Sequence, residues 1–284
     1  MKVCIIGGNS GIAKHVIKVF RSFDIDLLII TRKNFPNYTH SLNDLFKIIK
    51  KNKIRFVFNF CAITSNNDCI KDPLTTIYIN TIFPDKLSKF CNQIKINFVN
   101  FSTDHVFSSK KAKLFKVNEK KSPISFYGYS KSISEDLMKN DKFSNVIRLP
   151  MVFGSKMKKS FVTKHTKLLA LNNNVEILSD KFFSPINADD IGFFLYNYYF
   201  KNSSLKEKFK VIHLSSNELI SRYEFMKKIA NLLDKEKYLK SIKTVNFKLE
   251  IPNAGLFCSE KKFKNSNLEK FVNDLSFVNS FVNK

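Results

Sequence analysis

Val3 to Ile6 is a short apolar run without polar alternation, the pattern of a strand buried on both faces. Glycines interrupt it at 7, 8 and 11, and Ile12, Val16, Val19 and Phe20 then recur at helical spacing before a second apolar run, Asp26 to Ile30. This is β-α-β in about thirty residues. The alternation continues with a helix over Leu42 to Lys51, a strand over Phe56 to Phe60, a helix over Pro84 to Gln93 and a strand over Asn97 to Phe101. A helix over Ser130 to Met138 and a strand over Val146 to Leu149 follow. Parallel strands need a helical crossover between them, so the pattern predicts an α/β fold with a doubly wound parallel sheet. Beyond Gly154 the alternation loosens. Asp189 to Phe200, Val211 to Ser215 and Ser221 to Leu233 read as parts of a smaller C-terminal α/β lobe. The division therefore falls near residue 150, with 1–150 as the main domain and 151–284 mostly the second lobe, the chain crossing between them.

Composition narrows the classes. A chain of 284 residues with 44% hydrophobic and 25% charged residues can bury a full core and is not a disordered chain. The net charge of +24 raises the question of nucleic acid. Yet of the 48 basic residues only Arg21, Arg32, Arg55, Arg148 and Arg222 carry the guanidinium fork that base and phosphate recognition favours, and the lysines are spread along the whole chain. No nucleic-acid partner is expected; the positive field suits a small anionic ligand. The five cysteines form no CxxC and read as buried thiols of a reducing compartment. No signal peptide and no window near the roughly 18 apolar residues of a membrane span is present, so a cytoplasmic location is expected. His15, His40, His165 and His213 lack metal-ligand spacing with Cys or carboxylates, and no metal is expected. Asp189 and Asp190, adjacent on a helix, point about 100° apart and read as helix caps.

Gly7, Gly8, Ser10, Gly11 and Ile12 sit between the first strand and the first helix, where backbone N–H groups can approach a pyrophosphate at a helix N-terminus. The fit is to G-x-x-x-G-x-A, ending at Ala13, and predicts a Rossmann dinucleotide site. At the end of the second strand, where an NAD site places a carboxylate on the ribose, the chain has Thr31, Arg32 and Lys33. Arg32 would pair with a 2′-phosphate that a carboxylate would repel, so NADPH is the expected cofactor, with NADH the alternative.

Tyr127 and Lys131 have the Y-x-x-x-K spacing that puts a phenol and an ammonium on one helix face. In a chain this rich in lysine about one or two such pairs arise by chance, and Tyr223 with Lys227 is a second. Context separates them. Tyr127 follows a strand ending in Ser102, Thr103 and Asp104, at the sheet edge where doubly wound folds bind ligands, whereas Tyr223 has no such partner.

With these segments in order, the chain resembles the extended short-chain dehydrogenase/reductase superfamily and, within it, the dTDP-4-dehydrorhamnose reductase family. The resemblance runs through the Gly7–Ala13 turn, Asn59-Phe-Cys-Ala62, Asn80 in IYINT, FSTDHVF at 101–107 and YGYSK at 127–131. It continues through IRLPMVFG at 147–154, FFSPINADDIG at 182–192 and IHLSSNELISRYEF at 212–225. It implies NADP(H)-dependent reduction of the 4-keto group of a nucleotide-activated deoxy sugar. Tyr127 would be the proton donor, Lys131 would stabilise its phenolate and hold the nicotinamide ribose, and Thr103 would hydrogen-bond the reacting oxygen, with Ser102 as the fallback. Cys61 and Ala62 would line the cofactor, and Asp104, His105 and Met151 the substrate. His105 and Met151 stand where those reductases usually have a tyrosine and a tryptophan, so the sugar platform differs, and the chain has no tryptophan. A homodimer is the assembly such relatives allow, although His15 replaces the glutamate of their magnesium-linked contact. The alternatives on this scaffold are a sugar-nucleotide epimerase or dehydratase and a non-catalytic cofactor-binding regulatory subunit.

Overall fold

The computed structural model describes residues 2–35, 41–109, 111–158, 160–201, 208–244, 253–259 and 268–275, so His40 lies outside the described residues. The first half of the chain forms β1 Lys2–Ile6, α1 Gly11–Arg21, β2 Asp26–Ile30, α2 Leu42–Lys51, β3 Phe56–Asn59, α3 Asn66–Lys71, α4 Pro73–Ile77, α5 Phe83–Gln93, β4 Asn97–Thr103, β5 Lys113–Phe115, α6 Phe126–Met138 and β6 Ser144–Leu149. The second half forms β7 Val152–Phe153, α7 Phe161–Ala170, β8 Val175–Leu178, β9 Phe182–Phe183, β10 Ile186–Asn187, α8 Ala188–Tyr196, β11 Lys210–His213, β12 Ile220–Ser221, α9 Arg222–Leu232, β13 Leu239–Ile242, β14 Ala254–Leu256 and α10 Leu268–Asn273. A π-helical turn, Tyr78–Ile82, joins α4 to α5.

Six strands form one parallel sheet in the order β11-β6-β4-β3-β1-β2. Side chains alternate across a strand, so consecutive apolar residues feed opposite layers. Val3, Ile5, Phe56 and Phe58 pack with Val16 and Phe20 of α1 and Ile191 of α8. Cys4, Ile6 and Val57 pack with Leu45 of α2 and Phe83 and Leu87 of α5. This is why the strands read as unbroken apolar runs. The direction of winding reverses between β1 and β3, and the crevice beyond their carboxyl ends is where such sheets bind ligands. A separate core of Phe153, Val162, Phe225, Ile229 and Phe271 holds α7, α9 and α10 together. Tyr223 packs against it, as its lack of a polar partner in sequence suggests.

Several elements depart from the sequence reading. Val211 to Ser215, expected in the smaller lobe, lies instead in β11, the sixth strand of the main sheet, where Val211 and Ile212 pair with Val146 and Ile147. Residues 189–200, also expected there, begin in α8, which packs on α1 with Gly192 against Val19. Helix α6 begins at Phe126 rather than Ser130, because the Ser125 hydroxyl accepts the Gly128 N–H and caps it. Asp189 does not cap α8. The cap is Asn187, whose side-chain oxygen accepts the Asp189 N–H at 2.8 Å. The Asp189 carboxylate lies 2.5 Å from His15 Nδ1, while His15 Nε2 accepts the Lys156 N–H at 3.0 Å. Among the described residues no helix is long and apolar enough to cross a membrane.

Candidate active site

Gly7 follows β1 with φ +77°, a conformation that glycine adopts without strain. A Cβ there would stand 2.8 Å from the Cys61 backbone nitrogen, so the β1 turn and the β3 loop approach each other as closely as backbone allows. Ser10 caps α1 by accepting the Ala13 N–H at 3.2 Å, leaving the first-turn amides of Gly11 and Ile12 without intrahelical acceptors. Those amides face a cleft of about 320 Å³ lined by Ser10, Gly11, Ile12, Cys61, Ala62, Thr103, Tyr127 and Met157, among others. The glycine cradle, the helix N-terminus and the cleft fit a dinucleotide, and Gly11 and Ile12 are the residues that could hold its phosphates. When bound, such a cofactor supplies a hydride. Gly8 lies against Ile29 and Thr31 of the neighbouring strand end, and Arg32 is exposed just beyond it.

Buried amides fix the wall of this cleft. Asn59 donates to Asn100 Oδ1 at 2.9 Å and accepts the Cys61 N–H at 3.1 Å. Asn80, on the π-helical turn, accepts the Ile63 N–H and donates to the Ile63 carbonyl, each at 2.9 Å, and also donates to Ser130 Oγ at 3.1 Å. The loop after β3 is thereby tied to α6, the helix that carries Tyr127 and Lys131.

Strand β4 runs through Ser102 and Thr103, which pair with Arg148 and Leu149 of β6, and so ends later than the apolar pattern predicts. Thr103, its last residue, lines the cleft with Tyr127, its hydroxyl donating to Asp104 Oδ1 at 3.0 Å and accepting the His105 N–H at 3.1 Å. Burial pushes the Tyr127 phenol well above its ordinary range; the neighbouring Thr103 hydroxyl pulls it down, and the charges of Asp104 and Cys69 add to the rise. Lys131, one turn along α6 and 2% exposed, is lowered by burial to about 8 against the upward pull of Glu135 and Cys61. Ser102, the expected fallback for Thr103, reaches the cleft wall, but its hydroxyl donates to Glu135. Glu135 in turn accepts a fork from Arg148, with Nε at 3.0 Å and Nη2 at 2.7 Å. Burial alone would raise the Glu135 carboxyl, yet Arg148, Ser102 and Lys121 hold it below the usual carboxylate range.

A model of the RmlD substrate binding domain family matches residues 1–257. The chain belongs to that family. Its fold is that of the extended short-chain dehydrogenases/reductases. The spore coat polysaccharide biosynthesis protein SpsK of Bacillus subtilis is 22% identical over 264 residues, covering 89% of this chain and 87% of that protein. A dTDP-4-dehydrorhamnose reductase of Sinorhizobium fredii is 24% identical over 191 residues, 67% of this chain and 64% of that one. The crystal structure of the Bacillus anthracis dTDP-4-dehydrorhamnose reductase in complex with NADP superposes with a TM-score of 0.85 at 19% identity, covering 95% of this chain and 98% of that chain.

Beside the cofactor cleft of this RmlD-family chain lies a second compartment of about 290 Å³, sharing Thr64, Thr103 and Pro150 with it. Asp104, His105 and Met151 line it, together with Phe161 and Arg222. The His105 ring meets the Tyr127 ring edge-on, centroids 5.5 Å apart, and burial lowers its pKa despite the upward pull of Asp104. Burial raises the Asp104 carboxyl, opposed by His105, by the Thr103 hydroxyl at 3.0 Å and by Arg222.

The sequence reading misses Asn59, Met157 and Arg222. Asn59 enters that reading only within the Asn59-Phe-Cys-Ala62 segment, with no role of its own. Met157 stands over Gly11, where a Cβ would come within 2.7 Å of its Cγ, and Arg222 opens α9, far along the chain. Their local pattern carries no signal of this placement. Among the described residues, no three His, Cys, Asp or Glu side chains converge to hold a metal ion.

Proposed function

We propose that this protein reduces the 4-keto group of a nucleotide-activated deoxy sugar with NADPH, Tyr127 donating the proton. The coarser part rests on family membership: the chain is a nicotinamide-dependent oxidoreductase of the sugar-nucleotide type. One observation supports the finer part: a single cleft runs from the α1 N-terminus to Thr103 and Tyr127, with a second compartment opening beside Thr103. Hydride would reach the carbonyl carbon from the cofactor side while the Tyr127 phenol passes its proton to the carbonyl oxygen, leaving an alcohol and a phenolate. The elevated phenol is in its donor form throughout the neutral range, and Thr103 would hold the same oxygen. Lys131 would hold the nicotinamide ribose and stabilise the phenolate. Arg32, exposed at the end of β2, supports a 2′-phosphate and so NADPH over NADH.

The test is NADPH oxidation, followed by absorbance, with dTDP- and UDP-linked 4-keto-6-deoxyglucose, run in parallel with NADH. Wild type turns over, and Tyr127→Phe loses about a hundredfold or more in kcat while still binding NADPH. A wild type that binds NADPH yet reduces neither sugar sinks the substrate assignment, and tighter binding of NADH sinks the cofactor preference.

A further inference from the structure

The second compartment holds one strong fixed charge that the reduction step does not use. Arg222 lines its wall together with Asp104 and His105. Its backbone is pinned: the Arg222 N–H donates to the Lys181 carbonyl at 2.8 Å, and the preceding Ser221 pairs with Phe182 across β9 and β12. Its guanidinium carbon stands 5.1 Å from the centroid of the Phe161 ring, a cation–π contact. Yet Arg222 Nε is buried without a hydrogen-bond partner among the described residues. A guanidinium does not shed its proton, and a buried donor without an acceptor is destabilising. The fold places this group beside the reacting end of the cleft and leaves its hydrogen bonding incomplete.

Of the compartment's other titratable groups, Asp104 attracts Arg222, but its carboxyl accepts the Thr103 hydroxyl and leaves Arg222 Nε unengaged; burial raises Asp104 and lowers His105. His165, on α7, is likewise lowered, by burial first and in part by Arg222 itself. Lys164, its neighbour, adds positive charge. A ligand that completes the site therefore brings an acceptor with negative charge, of a shape that a planar fork can grip.

We propose that Arg222 holds an oxyanion of the substrate, a phosphate or carboxylate oxygen carried next to the sugar being reduced, and so selects for anionic sugar derivatives. The assignment rests on the nucleotide-sugar reading above. Two parts of such a substrate could carry the oxyanion: the diphosphate bridge, or a carboxylate on the sugar ring.

The test is calorimetric titration of the NADPH-loaded protein with uridine, UDP, UDP-glucose and UDP-glucuronate, on wild type and on Arg222→Met. Loss of a charge-assisted fork weakens binding by about 10- to 100-fold. A loss shared by UDP, UDP-glucose and UDP-glucuronate, with uridine unchanged, puts the diphosphate on Arg222. A loss confined to UDP-glucuronate puts the sugar carboxylate there. Equal affinities in wild type and variant for every ligand overturn the proposal while leaving the nucleotide-sugar reading intact; a wild type that binds none of the four overturns both. NADPH affinity, to which Arg222 does not contribute, reports whether Arg222→Met is folded. If it is not, Arg222→Lys carries the same comparison, since it keeps the cation over Phe161 but cannot present two parallel N–H donors, and a Lys variant as tight as wild type then overturns the proposal.

Discussion

Lys131 sets the behaviour of the site at the level of single residues. Its ammonium is buried and lowered to about 8, so above that pH the side chain is largely neutral. An anionic dinucleotide favours the charged form, so binding above pH 8 draws a proton onto Lys131, and affinity for NADPH falls as the pH rises through about 8. Fluorescence titration of NADPH from pH 6.5 to 9.5 tests this: wild type weakens across the window, and Lys131→Met is weaker throughout and flat. A flat wild-type profile would show that Lys131 does not titrate where its burial puts it. Thr103, Tyr127 and Lys131 are legible in the sequence because their spacing and their position after a ligand-edge strand are local properties. Arg222 is not, because its meaning comes from the β9–β12 pairing that carries it back against Asp104, and pairing between distant segments leaves no local pattern. Ser102 reads as a candidate for the same reason that Thr103 does. Alternation along β4 sends its hydroxyl to Glu135 instead.

Helix α6 carries Tyr127 and Lys131 on its first turns and an ion pair on the next. Glu135, one turn beyond Lys131, accepts Arg148 of β6, which also reaches the Val117 carbonyl and His213 Nε2, each at 3.1 Å. The cluster binds α6 to the sheet, with His213 lowered to about 4 by burial and by the Arg148 charge. Cutting one partner from such a pair leaves the other charge buried and alone. Arg148→Met should cost about 3–5 kcal/mol in urea unfolding, whereas adding Glu135→Leu to it should recover much of that loss. A double variant less stable than Arg148→Met alone would contradict this account. The sign with pH follows from the depressed Glu135: the pair contributes fully above the unfolded carboxylate pKa and loses its contribution as the pH falls through the lower folded value. In sequence these residues look like ordinary surface charges of a basic chain. Asp189 misleads similarly: read as a helix cap, it is the partner of buried His15, and only the packing of α8 on α1 brings them together.

At the scale of the whole molecule, the sheet is more interleaved than a division near residue 150 suggests. Apolar runs identify each strand, but they do not say which run joins which sheet, and β11 looks in sequence like any strand of the later half. Its pairing with β6 makes the first 150 residues incomplete: β6 would present an unpaired edge, and Phe194 and Tyr199, which complete the layer over α1, would be missing. A fragment of residues 1–150 should therefore show no cooperative unfolding transition in urea, while the full chain shows one; a fragment that melts cooperatively would re-establish the first 150 residues as an independent domain. β14 makes a similar return, pairing Ala254 to Leu256 with Lys113 to Phe115.

The position of β11 also bears on how the protein is made. Translation delivers the glycine turn, Tyr127, Lys131 and five strands of the sheet before the strand that covers their open side. During that interval the growing chain exposes an apolar β edge, and its handling by the ribosome's attendant chaperones matters more than for a fold whose strands close in the order they are synthesised.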